Sequence, residues 1–240
     1  MQARALLGLG VMLLGCRTPC AAEEKATLGQ LLKEQKAMHR GQAICRELVT
    51  PQLEVRDRVI TVTGSKPSVL GVASVLPRDT IVHYEPLATK LGGYREHFKM
   101  VRAEAYEPTL HATFAADVEA TVAASLLTTA AEINFTRMRL VVEGTAPVAV
   151  EWAFRARPTV CIQQREGRAQ ASGASYATAA AATDKVCPGA CEVVAFEVDA
   201  ASRLPPITRA IAEIDAQPKH AEKPPRFALV SFGTCASLGL

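Results

Sequence analysis

The chain predicts an α+β fold made of two small sheet-plus-helix units in tandem. Three observations predict it. Residues 110–116 and 148–154 alternate apolar and polar, the period of half-buried strands. Leu204, Ile207, Ile211 and Ile214 recur at three, four and three, the period of an amphipathic helix. The order strand, helix, strand runs through 110–142 and returns over 192–232.

The 240 residues divide by this reading into a signal peptide (1–22), a leader or tether (23–50), a first α+β domain (51–155) and a second, related one (156–240). A hydrophobic content of 49% with only 5% aromatics predicts a core of Val, Leu, Ile and Ala. The net charge of +3 is scattered, and no basic run points to nucleic acid.

Arg4 followed by the apolar run 5–14 has the pattern of a signal peptide. That run is too short to span a bilayer, which takes about 20 residues. Leu13-Leu14-Gly15-Cys16 resembles the bacterial lipobox, which implies lipidation at Cys16 and a membrane anchor. The other reading is cleavage after Ala22, at Cys20-Ala21-Ala22. Both export the chain, to the periplasm or to the outer membrane as a lipoprotein. Export makes structural disulfides the expectation for Cys45, Cys161, Cys187, Cys191 and Cys235, with Cys20 also available and the pairing open.

Taken in order, 23–41 is polar and reads as a solvated leader. The β-rich run 53–62 reads as a strand pair or a bulged strand ending at Thr63-Gly64-Ser65. Residues 67–78 read as a loop or short strand, and 80–84 as another strand. Leu87, Leu91, Tyr94, Phe98 and Val101 give 85–101 a helical stripe, weakened or broken at Gly92-Gly93.

In the central unit, Leu110, Ala112, Phe114 and Ala116 face one side of a strand. Asp117 is placed to cap the next helix through its carboxylate. Val118, Val122, Leu126 and Ile133 mark that helix. Residues 137–142 return as a strand and pair with 148–154 across the turn 144–147. Residues 159–163 form a short strand, 164 onward a loop rich in Ala, Ser and Gly, and 176–183 a helix. A strand over 192–198, the helix from Leu204 and a strand over 227–232 complete the chain. Phe114 and Asp117 match Phe196 and Asp199 as Phe-x-x-Asp, the mark of a tandem repeat. One core is expected to hold Phe114, Val122, Leu126, Leu140 and Val142. The other should hold Phe196, Ile207, Ile211, Leu229 and Val230.

The strand ending in Ala116-Asp117, the helix carrying Leu126-Leu127-Thr128-Thr129-Ala130 and the exit Arg139-Leu140-Val141-Val142 resemble the periplasmic domain of ExbD/TolR-type biopolymer-transport proteins. A strand at 58–63 sits where that domain's first strand would be. The resemblance covers about 53–143, with an echo over 159–232. It implies an envelope protein that binds or assists a partner. That family carries an acidic residue in a transmembrane helix; the apolar N-terminal segment here is short and has no Asp or Glu. Proton coupling is therefore not implied, and no functional residue of the family transfers.

The chemistry points away from catalysis. His39, His83, His97, His111 and His220 are scattered, without zinc-ligand spacing, and each reads as a surface or half-buried residue. Nucleophile-elbow, phosphate-loop and dinucleotide signatures are absent. Neither a catalytic residue nor a cofactor nor a metal site is assigned. Cys187-Pro-Gly-Ala-Cys191 is spaced wider than the Cys-x-x-Cys of redox enzymes and precedes a strand, so it reads as a structural turn. The expected function is a non-enzymatic envelope component whose partner is an envelope protein, peptidoglycan or a second copy. The alternative is a thiol–disulfide oxidoreductase using Cys187 and Cys191.

Overall fold

The structure is a computed structural model describing residues 50–239, except 65, 102–107 and 166, with the backbone alone for 98–101. The expected signal peptide, the expected leader up to residue 49, and Cys16, Cys20 and Cys45 lie outside the described residues.

The first half opens with three antiparallel strands, β1 (Gln52–Arg56), β2 (Val59–Thr63) and β3 (Pro67–Val72). Asp57 and Arg58 both adopt positive φ, 49° and 63°, which closes β1 and β2 with a two-residue turn that follows the twist of the strands. Helix α1 (Glu85–Val101) follows, then β4 (Thr109–Phe114), α2 (Ala120–Glu132), β5 (Arg137–Val142) and β6 (Val148–Trp152). The second half has β7 (Val160–Arg165), β8 (Arg168–Ala171), β9 (Ala174–Tyr176), α3 (Ala179–Val186), β10 (Val193–Val198), α4 (Leu204–Asp215), β11 (Arg226–Ser231) and the short α5 (Thr234–Ser237).

The α+β class holds, but the strands do not form two sheets. All eleven join one sheet, in the order β3-β2-β1-β4-β5-β6-β11-β10-β7-β8-β9. Strands β1, β4 and β5 are mutually parallel, as are β7, β10 and β11. Strand β6 lies at the centre, antiparallel to β5 and parallel to β11. The two halves therefore present the same succession of elements, running in opposite directions about β6. The residues entering α2 and α4, Glu119 and Arg203, meet in an antiparallel bridge, and the Ala120 N–H donates to the Ser202 carbonyl at 3.1 Å.

Strand register corrects the Phe-x-x-Asp match. Thr109–Phe114 pairs with Arg137–Val142 as Val193–Val198 pairs with Arg226–Ser231. Phe114 thus corresponds to Val198, and Phe196 to Ala112. The two-residue offset keeps the side chains on one face, so both phenylalanines are fully buried in the same core. Asp117 is exposed and lies before Glu119, the residue that begins α2; no side chain caps that helix.

Helices α1 to α4 cover one face of the sheet, and one apolar cluster runs beneath them through both halves. Phe114, Val122, Leu126, Leu140 and Val142 share it with Phe196, Ile207, Ile211 and Leu229. Val230 alone of the expected core set packs on the opposite face, against Ala153, Val193, Ala195 and Ala228. Helix α2 lies over β6 and β11 of the far half, and α4 over β5 and β6. Each half's helix thus covers strands of the other. Burying one Leu or Ile in this cluster contributes about 1.5–3 kcal/mol, so the exchange ties the halves strongly.

Residues 80–84 are not a strand, because their backbone groups are taken by a helix. Thr121, Ser125 and Thr129, one turn apart along α2, are fully buried. Thr121 Oγ1 donates to the Arg78 carbonyl at 2.8 Å, Ser125 Oγ accepts from the Val82 N–H at 3.0 Å, and Thr129 Oγ1 accepts from the Tyr84 N–H at 3.0 Å. Helix α1 continues through Gly92-Gly93, packed against α2 by Leu87 and Leu91. Strands β8 and β9 occupy part of the stretch that reads as a loop. Among the described residues no helix is long and apolar enough to cross a membrane.

Candidate functional site

A recess on the sheet face opposite α1 to α4 is built by the segment that follows β11. After β11, Gly233 takes a left-handed φ of 83°, a turn glycine makes without steric cost, and carries the chain onto that face as α5. There Cys235 is disulfide-bonded to Cys161 of β7, with their Cα atoms 6.0 Å apart. Glu197, the only charged residue of β10, points to the same side and is 6% exposed. One of its oxygens accepts from the Cys235 N–H at 2.7 Å and the other from the Gln163 amide at 2.5 Å. Both donors are neutral.

Two adjoining cavities open on this carboxylate. One, about 300 Å³, lies between the disulfide, Gln170, Ser175 and Ala236. The other, about 280 Å³, lies at the carboxyl ends of β7, β10 and β11, bounded by Arg165, Asp199, Ser202 and Phe232. Gln163 and Glu197 line both. In the second cavity Arg165 stands over the Phe232 ring at 5.1 Å and pairs with Asp199 at 3.6 Å. A hydrogen bond from Ser202, joined by the backbone N–H groups of Ala201 and Ser202 and by Arg165, holds the Asp199 carboxyl below its usual range. The arrangement offers carboxylates, amides and an aromatic face to a polar ligand.

Cys187 and Cys191 lie elsewhere, in the turn between α3 and β10. Both are thiols, and both are buried. The expected bond through either of them is not formed; Cys161 and Cys235 pair with each other instead. Lys219 Nζ donates to the Cys187 carbonyl at 2.9 Å and pairs with Asp184 at 3.0 Å. The Cys191 N–H donates to His220 Nε2 at 3.3 Å, while His220 Nδ1 donates to the Ile214 carbonyl at 2.9 Å. His220 is thus 1% exposed, buried rather than at the surface, with both ring nitrogens occupied by the backbone of the turn and of α4. Burial, with the neighbouring Cys187, pushes the Cys191 thiol up to about 12. A redox nucleophile needs the reverse, a depressed thiol pKa and access to solvent.

The remaining described histidines do not converge on the recess. His83 bonds to Glu132 and Glu85, and its pKa is raised chiefly by Glu132. His111 sits on β4 beside Arg139, its pKa lowered by burial and then by that charge. Among the described residues no three His, Cys, Asp or Glu stand where they could hold a metal ion.

Sequence reasoning names Cys161 and Cys235 but misses Glu197 and Gln163. The available signal was a lone acid inside Val-Val-Ala-Phe-Glu-Val, which reads as the solvent side of a half-buried strand. Comparison with known proteins adds no relative: no family model, no curated protein and no solved structure matches the chain.

Proposed function

We propose that this chain is a non-enzymatic, exported cell-envelope protein that holds a partner on the sheet face opposite helices α1 to α4, as a binding or accessory component related to ExbD/TolR-type biopolymer transport. The observation that carries the reading is the recess at Glu197 and Gln163. It is a polar hollow beside the Cys161–Cys235 disulfide, on the face opposite α1 to α4. A disulfide suits an oxidising compartment, in line with the signal sequence and the lipobox ending at Cys16. The repeated succession of elements about β6 supports descent from one duplicated ExbD/TolR-like unit. The partner class is an envelope protein, peptidoglycan or a second copy of the chain. The thiol–disulfide alternative is disfavoured by the burial of Cys187 and Cys191.

The test is photo-crosslinking in intact cells. A crosslinker at Gln170 or Ala236, both exposed at the recess, should capture a defined envelope protein or peptidoglycan fragment. One at Glu213, exposed on α4, should not. No envelope capture from any position, or equal capture from all three, would count against the reading.

A further inference from the structure

We propose that the recess is a site for an organic cation, an ammonium or guanidinium group, with Glu197 as its counter-charge. The inference rests on the reading of this face as a binding surface and assigns the chemistry of what enters it.

Glu197 is a carboxylate withdrawn from water into the sheet. Taking a carboxylate out of water is costly unless a cation or several strong hydrogen bonds replace its hydration. Its two donors, the Cys235 N–H and the Gln163 amide, are neutral. Two guanidinium groups beside the recess are engaged elsewhere, Arg165 by Asp199 and the Phe232 ring and Arg168 by the Ser175 hydroxyl. A carboxylate oxygen accepts more than one hydrogen bond, so each oxygen of Glu197 retains acceptor capacity toward the cavities it borders.

The walls fit the same class. At the mouth the Phe232 ring, 55% exposed, already carries the Arg165 guanidinium that Asp199 pairs, so the mouth itself accommodates a cation of the proposed class. The Gln163 and Gln170 carbonyls can accept from N–H donors, while the Ser175 hydroxyl already accepts from Arg168 Nε at 2.9 Å. About 300 Å³ admits the end of a lysine or arginine side chain or a small diamine, but not a folded segment. The cation could come from a basic side chain of a partner protein or from a free polyamine.

The full chain is titrated by calorimetry with two probes, an Nα-acetylated lysine hexapeptide and 1,5-diaminopentane. Saturable binding of at least one is expected, and which one binds identifies the source. Glu197→Gln keeps an acceptor for the Cys235 N–H and should leave the melting temperature unchanged. It should weaken binding on the order of tenfold to a hundredfold. Ala236→Arg, on the exposed side of α5, places a guanidinium into the recess and should abolish uptake. No saturable binding of either probe, or uptake unaltered in both variants, overturns the cation site. A crosslinked envelope partner without cation uptake removes this inference alone; cation uptake without an envelope partner removes the proposed function alone.

Discussion

Removing the Cys161–Cys235 bond should cost the protein a large part of its stability, chiefly through the unfolded chain. The bond spans a sequence separation of 74 residues and so closes a loop containing most of the second half. The chain-entropy relation gives about 4.5 kcal/mol for a loop of that length at 25 °C, an upper figure because engineered and native bonds often deliver less. The native-state terms are small beside it. Cys161 is only half-buried, and α5 keeps the hydrogen bond from the Cys235 N–H to Glu197. The perturbation is the double variant Cys161→Ala/Cys235→Ala, unfolded in urea and followed by the fluorescence of Trp152, the single tryptophan. A loss of about 3–4 kcal/mol is expected. The denaturant slope should rise, because an uncrosslinked unfolded chain exposes more surface. A loss below about 1 kcal/mol, or a falling slope, would refute the reasoning and place the effect in the native state.

Three further outcomes follow from the same contacts. Ser125→Ala removes the acceptor of the Val82 N–H from a fully buried position and should cost about 1–3 kcal/mol in urea denaturation; an exposed serine such as Ser237 should cost far less. His83 has a folded-state pKa raised above its usual value, so its stabilising contribution is complete below the unfolded pKa and is lost as pH rises through the folded one. The side chain is 42% exposed, so the decline should be modest, and a His83→Asn variant should be flat across that window in pH-resolved melting curves. Cys187 and Cys191 should resist an aromatic disulfide reagent at neutral pH in the folded protein and react on addition of denaturant; rapid native-state reaction would mean that the thiols are not held as described.

Much of the fold is legible in the sequence wherever apolar spacing is unambiguous. The stripe Leu204, Ile207, Ile211, Ile214 marks α4, and alternation marks β4 and β6 within two residues of their ends. Strands β8 and β9 escape because they are short, four and three residues, and β8 buries only two alanines, whose small side chains give a weak apolar signal. Residues 80–84 mislead because their β-branched composition suits a strand, while Ser125 and Thr129 claim the Val82 and Tyr84 N–H groups and Thr121 holds the Arg78 carbonyl just before them. That claim depends on the packing of α2, which no local pattern reveals. The shared order of elements is legible, but the Phe-x-x-Asp match is not in register: Thr109–Phe114 and Val193–Val198 align by their strand pairing two residues away from it. Glu197 reads as a solvent-facing acid until Cys161 and Cys235 are joined and α5 comes to lie over its strand.

The account stands on both halves sharing one core, with α2 and α4 exchanged across β6, because that arrangement puts the helices on one face and leaves the recess on the other. Trp152 lies in β6 at the centre of the sheet, 2% exposed. Its fluorescence reports the joint between the halves, while far-ultraviolet dichroism reports all helices and strands. Equilibrium urea unfolding followed by both signals is predicted to give one coincident transition with one midpoint. Two separated transitions, with Trp152 released while half of the dichroism persists, would contradict it.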